Sequence, residues 1–207
     1  SPANPPLLIF PHAGSGASTY RAFSKELSAS FDVIVFQYPG RQDRAREAPA
    51  ETLPHLAAGA FAEFVGSRWN RQAAITVFGH SMGAVTAFEC VRLAEARGIE
   101  VRLLGVSAAV APSQVADLPP HPTGDEELLE HLSALNGTGG DVLASADVMR
   151  MALPVMKIDY RAFDAYSCGT EVTVAAPIRA MGGAEDPFIT PGQLHGWGTH
   201  TTGSVDV

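Results

Sequence analysis

The residues best suited to chemistry lie in a five-residue motif, Gly-His-Ser-Met-Gly, at positions 79–83. A short apolar run rich in β-branched residues, 74–78, precedes the motif, and apolar side chains follow it at close to helical spacing as far as Gly98. This pattern predicts a strand, a sharp turn and a helix, with Ser81 at the tip of the turn. A serine placed there has an exposed hydroxyl, and the N–H groups that begin the helix can stabilise an oxyanion beside it. The pattern therefore favours a nucleophilic serine over a chance Gly-x-Ser-x-Gly in a surface turn.

A loop of small residues after the first predicted strand, 7–10, is the second feature with a chemical use. It reads Pro-His-Ala-Gly-Ser-Gly-Ala-Ser at 11–18, and small residues let a backbone approach another group closely. In hydrolases with a nucleophilic turn of this kind, one oxyanion N–H comes from the residue after the serine and a second from such an early loop. We therefore expect the N–H groups of Met82 and Ala13 to form an oxyanion hole. A plain tight turn and a phosphate-binding loop are the alternatives, although the dinucleotide and P-loop glycine signatures are absent here.

An acidic residue follows the late predicted strand, 177–181. The loop after it reads Gly-Gly-Ala-Glu-Asp-Pro-Phe, and the chain order in such hydrolases is serine, then acid, then histidine. We therefore predict that Asp186 is the acid of a catalytic triad, with Glu185 as the neighbour that could replace it. The alternative is that Asp186 caps a helix predicted over 190–197.

The triad also needs an imidazole that accepts the serine proton. His195 and His200 follow the predicted acid, but they lie between its loop and a further strand that opens within 202–207, which makes them poor candidates. In hydrolases of this order the histidine follows the last strand. We therefore expect the final strand and the segment with the catalytic histidine beyond Val207.

Three other ionisable residues near these motifs have two interpretations each. His12 is a candidate base and a candidate lining residue of the substrate site, but a histidine at the shoulder of a loop more often shapes that loop through hydrogen bonds. Arg41 and Arg44 follow the second predicted strand and could bind an anionic group of a substrate. They could equally fix their own loop through ion pairs with carboxylates.

Strands and helices alternate along the first half of the chain, which indicates how these residues are positioned. Helical patterns at 19–28 and 53–69 separate the early strands, and a fourth strand follows at 101–106. Alternation of this kind predicts the α/β class, with a mostly parallel central sheet flanked by helices. The order of the motifs specifies an α/β-hydrolase fold.

The segment 112–168 interrupts this alternation. It contains two helical patterns, 125–135 and 145–166, a glycine-rich loop at 137–140 and no predicted strand. We predict a single domain over 1–207, with its core in 1–111 and 169–207 and a helical lid inserted at 112–168. The apolar residues of the second pattern could line an acyl pocket or form an ordinary packing face; they include Met156, Tyr160 and Phe163.

Composition limits the possible partners. The 207 residues are 46% hydrophobic and carry a net charge of −8, with no basic run for nucleic acid and no apolar run long enough to span a membrane. Cys90 and Cys168 are far apart and are typical of reduced thiols in a cytosolic protein. We therefore expect a cytoplasmic protein that binds neither nucleic acid nor membrane.

Together the motifs resemble those of the type II thioesterases that accompany nonribosomal peptide and polyketide synthetases. The matching residues fall in that family's order and at its spacings: Pro-His-Ala-Gly-Ser-Gly at 11–16, Tyr-Pro-Gly-Arg at 38–41, Gly-His-Ser-Met-Gly at 79–83, Leu-Pro at 153–154 followed by Asp159, and 183–186. The family's Gly-x-His-Phe type of segment, which follows its last strand, is not found within these 207 residues.

The resemblance implies a monomeric α/β-hydrolase with a mobile lid. It would remove acyl groups from the phosphopantetheine arm of carrier proteins, including those of siderophore synthesis, and so clear stalled or mis-primed synthetase modules. Carried over by position, Ser81 is the nucleophile, Asp186 the acid, and Ala13 and Met82 the oxyanion hole. The enzyme would need neither a cofactor nor a metal, because the substrate itself carries the phosphopantetheine.

Two other functions fit the same motifs. One is a general carboxylester hydrolase or lipase on this fold, which would prefer oxygen esters to thioesters. The other is a catalytically silent protein that binds carrier proteins through the inserted helices.

Overall fold

A parallel six-stranded sheet, in the order β2-β1-β3-β4-β5-β6, forms the centre of the molecule. The computed structural model describes residues 4–135 and 146–207, so the predicted loop at 137–140 lies outside the described residues. The strands are β1 (Pro6–Phe10), β2 (Asp32–Val35), β3 (Ile75–His80), β4 (Val101–Ser107), β5 (Ile178–Met181) and β6 (Val205–Asp206). The helices are α1 (Arg21–Leu27), α2 (Leu53–Val65), α3 (Met82–Ala96), α4 (Asp125–Leu135), α5 (Ala146–Asp164) and α6 (Pro191–His195). Short 3-10 segments cover Ala17–Tyr20, Gln42–Arg44, Pro112–Asp117 and Gly196–His200.

Both faces of the sheet are covered, and alternate residues of β1 show this directly. Leu8 and Phe10 belong to the large core that includes α2 and α3, whereas Leu7 and Ile9 pack with Tyr20 in a smaller cluster on the other face. Strands buried on both faces are expected to be apolar throughout, as β1 is. The predicted α/β class, with a mostly parallel sheet flanked by helices, is confirmed.

The strand order brings the predicted site residues to one edge of the sheet. β3 lies between β1 and β4, and β5 lies next to β4. Because all five pairings are parallel, the carboxyl ends of the strands share one edge, where ligands bind in open α/β sheets. The loop after β1, the turn after β3 and the acid loop after β5 therefore open on the same side.

The regular elements described between β4 and β5 are all helical. They are the 3-10 segment Pro112–Asp117, α4 and α5, and Pro154 lies inside α5 without ending it. α5 packs against α3, α4 and the 3-10 segment. Whether this insertion acts as a lid stays a prediction.

Two further predictions concern the last strand and the membrane. Val205–Asp206 pairs with β5 as β6, so a strand opens within 202–207, as the pattern indicates. Among the described helices, none combines the length and the apolar character that a membrane crossing requires.

Candidate active site

Ser81 lies in the sharp turn between β3 and α3, as the sequence pattern predicts. Its backbone has φ +54° and ψ −125°, a region that residues with a side chain rarely adopt. The turn is held by a hydrogen bond from the Ser81 N–H to the Ser107 carbonyl, 2.8 Å, and by one from the Ala84 N–H to the Ser81 carbonyl, 2.9 Å. The strained serine therefore sits directly before the first turn of α3.

The two glycines of the motif allow the backbone to pack closely here. A β-carbon on Gly79 would lie 2.1 Å from the Gly83 carbonyl oxygen, and one on Gly83 would lie 2.1 Å from the carbonyl oxygen of Phe10. Side chains are excluded at both positions because the neighbouring atoms are backbone and cannot move aside. The start of α3 therefore packs directly against the end of β1 and the loop that follows it.

That loop, residues 11–17, places the predicted oxyanion donors beside the turn. Ala13 and Met82 are both buried, with 4% and 1% of their surface exposed. Within the described part of the chain, neither N–H group donates to a protein acceptor. Two buried N–H groups without an acceptor, next to a nucleophile, are what an oxyanion hole requires.

His12 shapes this loop through hydrogen bonds. Its ring Nδ1 lies 2.9 Å from the hydroxyl of Tyr20, which also accepts the His12 backbone N–H at 3.2 Å. Burial, assisted by the nearby ring of His80, lowers the pKa of His12 to about 4. His12 is therefore uncharged at neutral pH, and its contacts are those of a loop-shaping residue.

Asp186 acts electrostatically on His80, the residue directly before Ser81. Burial lowers the pKa of His80, and the negative charge of Asp186 opposes that shift. Asp186 accepts hydrogen bonds from the N–H groups of Phe188 and Ile189, at 2.8 and 3.0 Å. Helix α6 has its own cap, the side chain of Thr190, so the interpretation of Asp186 as its cap is wrong.

None of the seven histidines, all of which lie in the described ranges, is hydrogen-bonded to Ser81 or Asp186. His200 is fully buried, and its Nε2 accepts the Ser113 N–H at 3.2 Å while Nδ1 faces the Val172 carbonyl at 2.8 Å. Both ring nitrogens of His200 are therefore occupied by hydrogen bonds. This agrees with the prediction from the sequence that His200 is a poor candidate for the catalytic base. The described residues also contain no group of three side chains suited to hold a metal.

Comparison with known proteins identifies the family. The sequence model of a protein family described as "Thioesterase domain" matches residues 5–207. The chain belongs to this thioesterase family. It is 41% identical to phenyloxazoline synthase MbtB of Mycobacterium tuberculosis over 95% of the chain, but it spans only 14% of that protein.

Two solved structures of type II thioesterases share the fold of this chain. The type II thioesterase BorB from the borrelidin biosynthetic cluster superposes with a TM-score of 0.85 and 38% identity, over 100% of this chain and 83% of BorB. YbtT, a type II thioesterase from the yersiniabactin NRPS/PKS pathway, superposes with a TM-score of 0.80 and 25% identity, over 100% and 85%. The resemblance derived from the motifs is confirmed.

The apolar residues predicted to line an acyl pocket differ in what they contact. Met156 packs against Gly14, where a β-carbon would lie 2.4 Å from its terminal methyl group. Tyr160 stacks on His121 with 3.8 Å between ring centroids, and Phe163 meets the same ring edge-on. Met156 therefore reaches the 11–17 loop, whereas Tyr160 and Phe163 make the contacts of packing residues.

An ion pair that the sequence left unassigned connects the insertion to this site. Arg41 and Asp159 are bonded through two pairs of atoms, at 2.6 and 2.8 Å, and both are buried. Arg44 instead pairs with Glu47 and Glu63. Of the two interpretations for these arginines, the loop-fixing one describes their contacts. The sequence could have indicated a buried partner for Asp159, because this carboxylate has the helical spacing of Met156 and Phe163 and so lies on the buried side of α5.

Proposed function

We propose that this protein hydrolyses acyl thioesters carried on the phosphopantetheine arm of carrier proteins, as a type II thioesterase of nonribosomal peptide or polyketide synthesis. The observation that supports it most is the strained Ser81 beside the buried N–H groups of Ala13 and Met82, neither of which donates to a protein acceptor in the described residues. A tetrahedral intermediate of acyl transfer needs this combination of nucleophile and donors.

The proposed reaction has two halves. Ser81 Oγ attacks the thioester carbonyl and passes its proton to the triad histidine, and the two N–H groups stabilise the oxyanion, each by about 3 kcal/mol. The carbon–sulfur bond breaks, and the pantetheine sulfur leaves with the proton from the imidazole. Water, deprotonated by the same imidazole, then cleaves the acyl-serine and releases the carboxylic acid.

The remaining roles come from the family resemblance. Asp186 would orient the imidazole, and the histidine itself would be the one that this family carries after its last strand. No metal and no cofactor has a role in this mechanism. A carrier-protein partner, a monomeric state and a cytoplasmic setting belong to the same proposal. The biosynthetic origin of BorB and YbtT supports the first of these.

The test compares one acyl group on three leaving groups with the full-length protein: a pantetheine thioester, an acylated carrier protein and a simple oxygen ester. We expect kcat/KM to be highest for the carrier protein and lowest for the oxygen ester, with no turnover by Ser81→Ala. A preference for the oxygen ester would instead identify a carboxylester hydrolase. Binding of the carrier protein without hydrolysis of any substrate would identify a silent binding protein.

A further inference from the structure

The carboxylate of Asp159 connects helix α5 to two loops at the carboxyl edge of the sheet. Its Oδ2 accepts the backbone N–H of Gly14 at 2.8 Å and Nη1 of Arg41 at 2.6 Å, and its Oδ1 accepts Nη2 of Arg41 at 2.8 Å. The two side chains are 4% and 6% exposed. A buried carboxylate with three charge-assisted or backbone hydrogen bonds is held in one position.

Asp159 and Arg41 fix the middle of the 11–17 loop between them. The Gly14 N–H belongs to the peptide unit that joins Ala13 to Gly14, directly after the proposed oxyanion donor. Arg41 Nη1 also donates to the carbonyl of Ser15 at 3.3 Å. Asp159 and Arg41 therefore set the orientation of the backbone that immediately follows the Ala13 N–H.

The two ends of the loop are anchored without α5. The Tyr38 hydroxyl donates to the Pro11 carbonyl at 3.1 Å, and the Ala17 N–H donates to the side chain of Gln37 at 2.7 Å. Tyr38 and Gln37 lie just after β2, and neither of these two contacts involves a residue of α5. Two contacts from described residues of α5, those of Asp159 and Met156, both fall on Gly14 in the middle of the loop.

We propose that Asp159 is a positioning residue for the oxyanion hole: through Gly14 and Arg41 it orients the Ala13 N–H, and hydrolysis therefore depends on α5 being docked. This inference rests on the proposed thioesterase function. When α5 leaves the loop, the Gly14 N–H loses its acceptor and the guanidinium of Arg41 loses its counter-charge. The inserted helices then control the chemistry through the loop and not only through access to Ser81.

The test needs a variant that keeps the fold. Replacing Asp159 alone leaves the buried charge of Arg41 unpaired, which is strongly destabilising, whereas replacing both partners by apolar residues of similar size is often tolerated. The variant is therefore Arg41→Met with Asp159→Leu, which removes the acceptor of the Gly14 N–H and leaves the net charge unchanged. The matched control is Asp125→Asn, which removes the exposed pair between Asp125 and Lys157 of α5 and contacts no part of the loop.

We expect the double variant to unfold within a few degrees of the wild type, with kcat for a pantetheine thioester reduced about 10- to 100-fold and KM changed less than about threefold. Its affinity for a phosphonate analogue of the tetrahedral intermediate should fall by a similar factor, and the backbone amides of residues 12–17 should exchange hydrogen faster. Asp125→Asn should match the wild type in each of these measurements.

The outcomes separate the two proposals. An active wild type together with a double variant of equal kcat overturns the role of Asp159 and leaves the proposed function in place. A drop confined to KM also overturns it, because a positioning residue of the oxyanion hole acts on the chemical step. A wild type that hydrolyses none of the thioesters overturns the proposed function and this inference with it.

Discussion

The α-carbon of Gly83 lies so close to Phe10 that a β-carbon on it would be 2.1 Å from the Phe10 carbonyl oxygen. This contact joins the first turn of α3 to the end of β1, and so brings Ser81 to the loop that contains Ala13. The glycine at this position is therefore required by the packing of two backbones.

The Gly83→Ala variant should unfold far more easily than the wild type. The obstructing atoms are backbone, so the β-carbon forces α3 away from β1, and we expect a loss of about 4 kcal/mol or more in the free energy of unfolding. Denaturant unfolding measures this loss. Gly59→Ala is the control, because Gly59 lies inside α2, where a β-carbon would meet no atom within 4 Å, and it should gain about 0.5–1 kcal/mol. Equal stabilities for the two variants would contradict the close packing at Gly83.

The strain at Ser81 predicts opposite effects of two inactive variants on stability. Glycine accepts φ +54° without a steric penalty, whereas alanine keeps the strain, which costs about 1–3 kcal/mol at such positions. After the entropy cost of glycine in the unfolded chain is subtracted, Ser81→Gly should be about 1 kcal/mol more stable than Ser81→Ala. Thermal unfolding of the two proteins measures the difference. A more stable Ser81→Ala would show that the turn is not strained.

Acid should destabilise the protein through His12. Its pKa is about 4 in the fold against 6.5 in the unfolded chain, so between these values the unfolded state binds the extra proton. The stability that His12 contributes is complete above pH 6.5 and is lost as the pH falls towards 4, to a total of about 3 kcal/mol. Unfolding of the wild type and of His12→Asn, compared from about pH 7.5 to 4.5, isolates this effect. His80 shifts in the same direction in both proteins, so parallel curves would contradict the prediction for His12.

The features that the sequence predicted well are those that local patterns determine. The pattern around Ser81, an apolar run, a glycine-flanked serine and a helical apolar repeat, predicts a strand, a sharp turn and a helix. The alternation of strands and helices predicts a parallel sheet. Helix α2 was predicted to run to Trp69 but ends at Val65, because Gly66 follows and glycine is a poor helix former. Local patterns place such ends only approximately.

The features that the sequence could not determine depend on contacts between distant segments. Arg41 and Asp159 are 118 residues apart, and no local pattern states which buried arginine a carboxylate will meet. Tyr160 and Phe163 have the spacing of an apolar helix face, and that spacing is the same for a pocket wall and for a packing surface. Their contacts with His121 are a property of the tertiary structure alone.

An acyl group bound to Ser81 is the intermediate on which the proposed mechanism depends. The full-length protein, mixed rapidly with an acyl-pantetheine thioester, quenched in acid and digested, should yield the peptide around Ser81 with the mass of one added acyl group. The adduct should decay at the rate at which free acid forms, and Ser81→Ala should give neither adduct nor acid. Hydrolysis by Ser81→Ala at the wild-type rate, or an acyl group attached to a residue other than Ser81, would contradict the proposed mechanism.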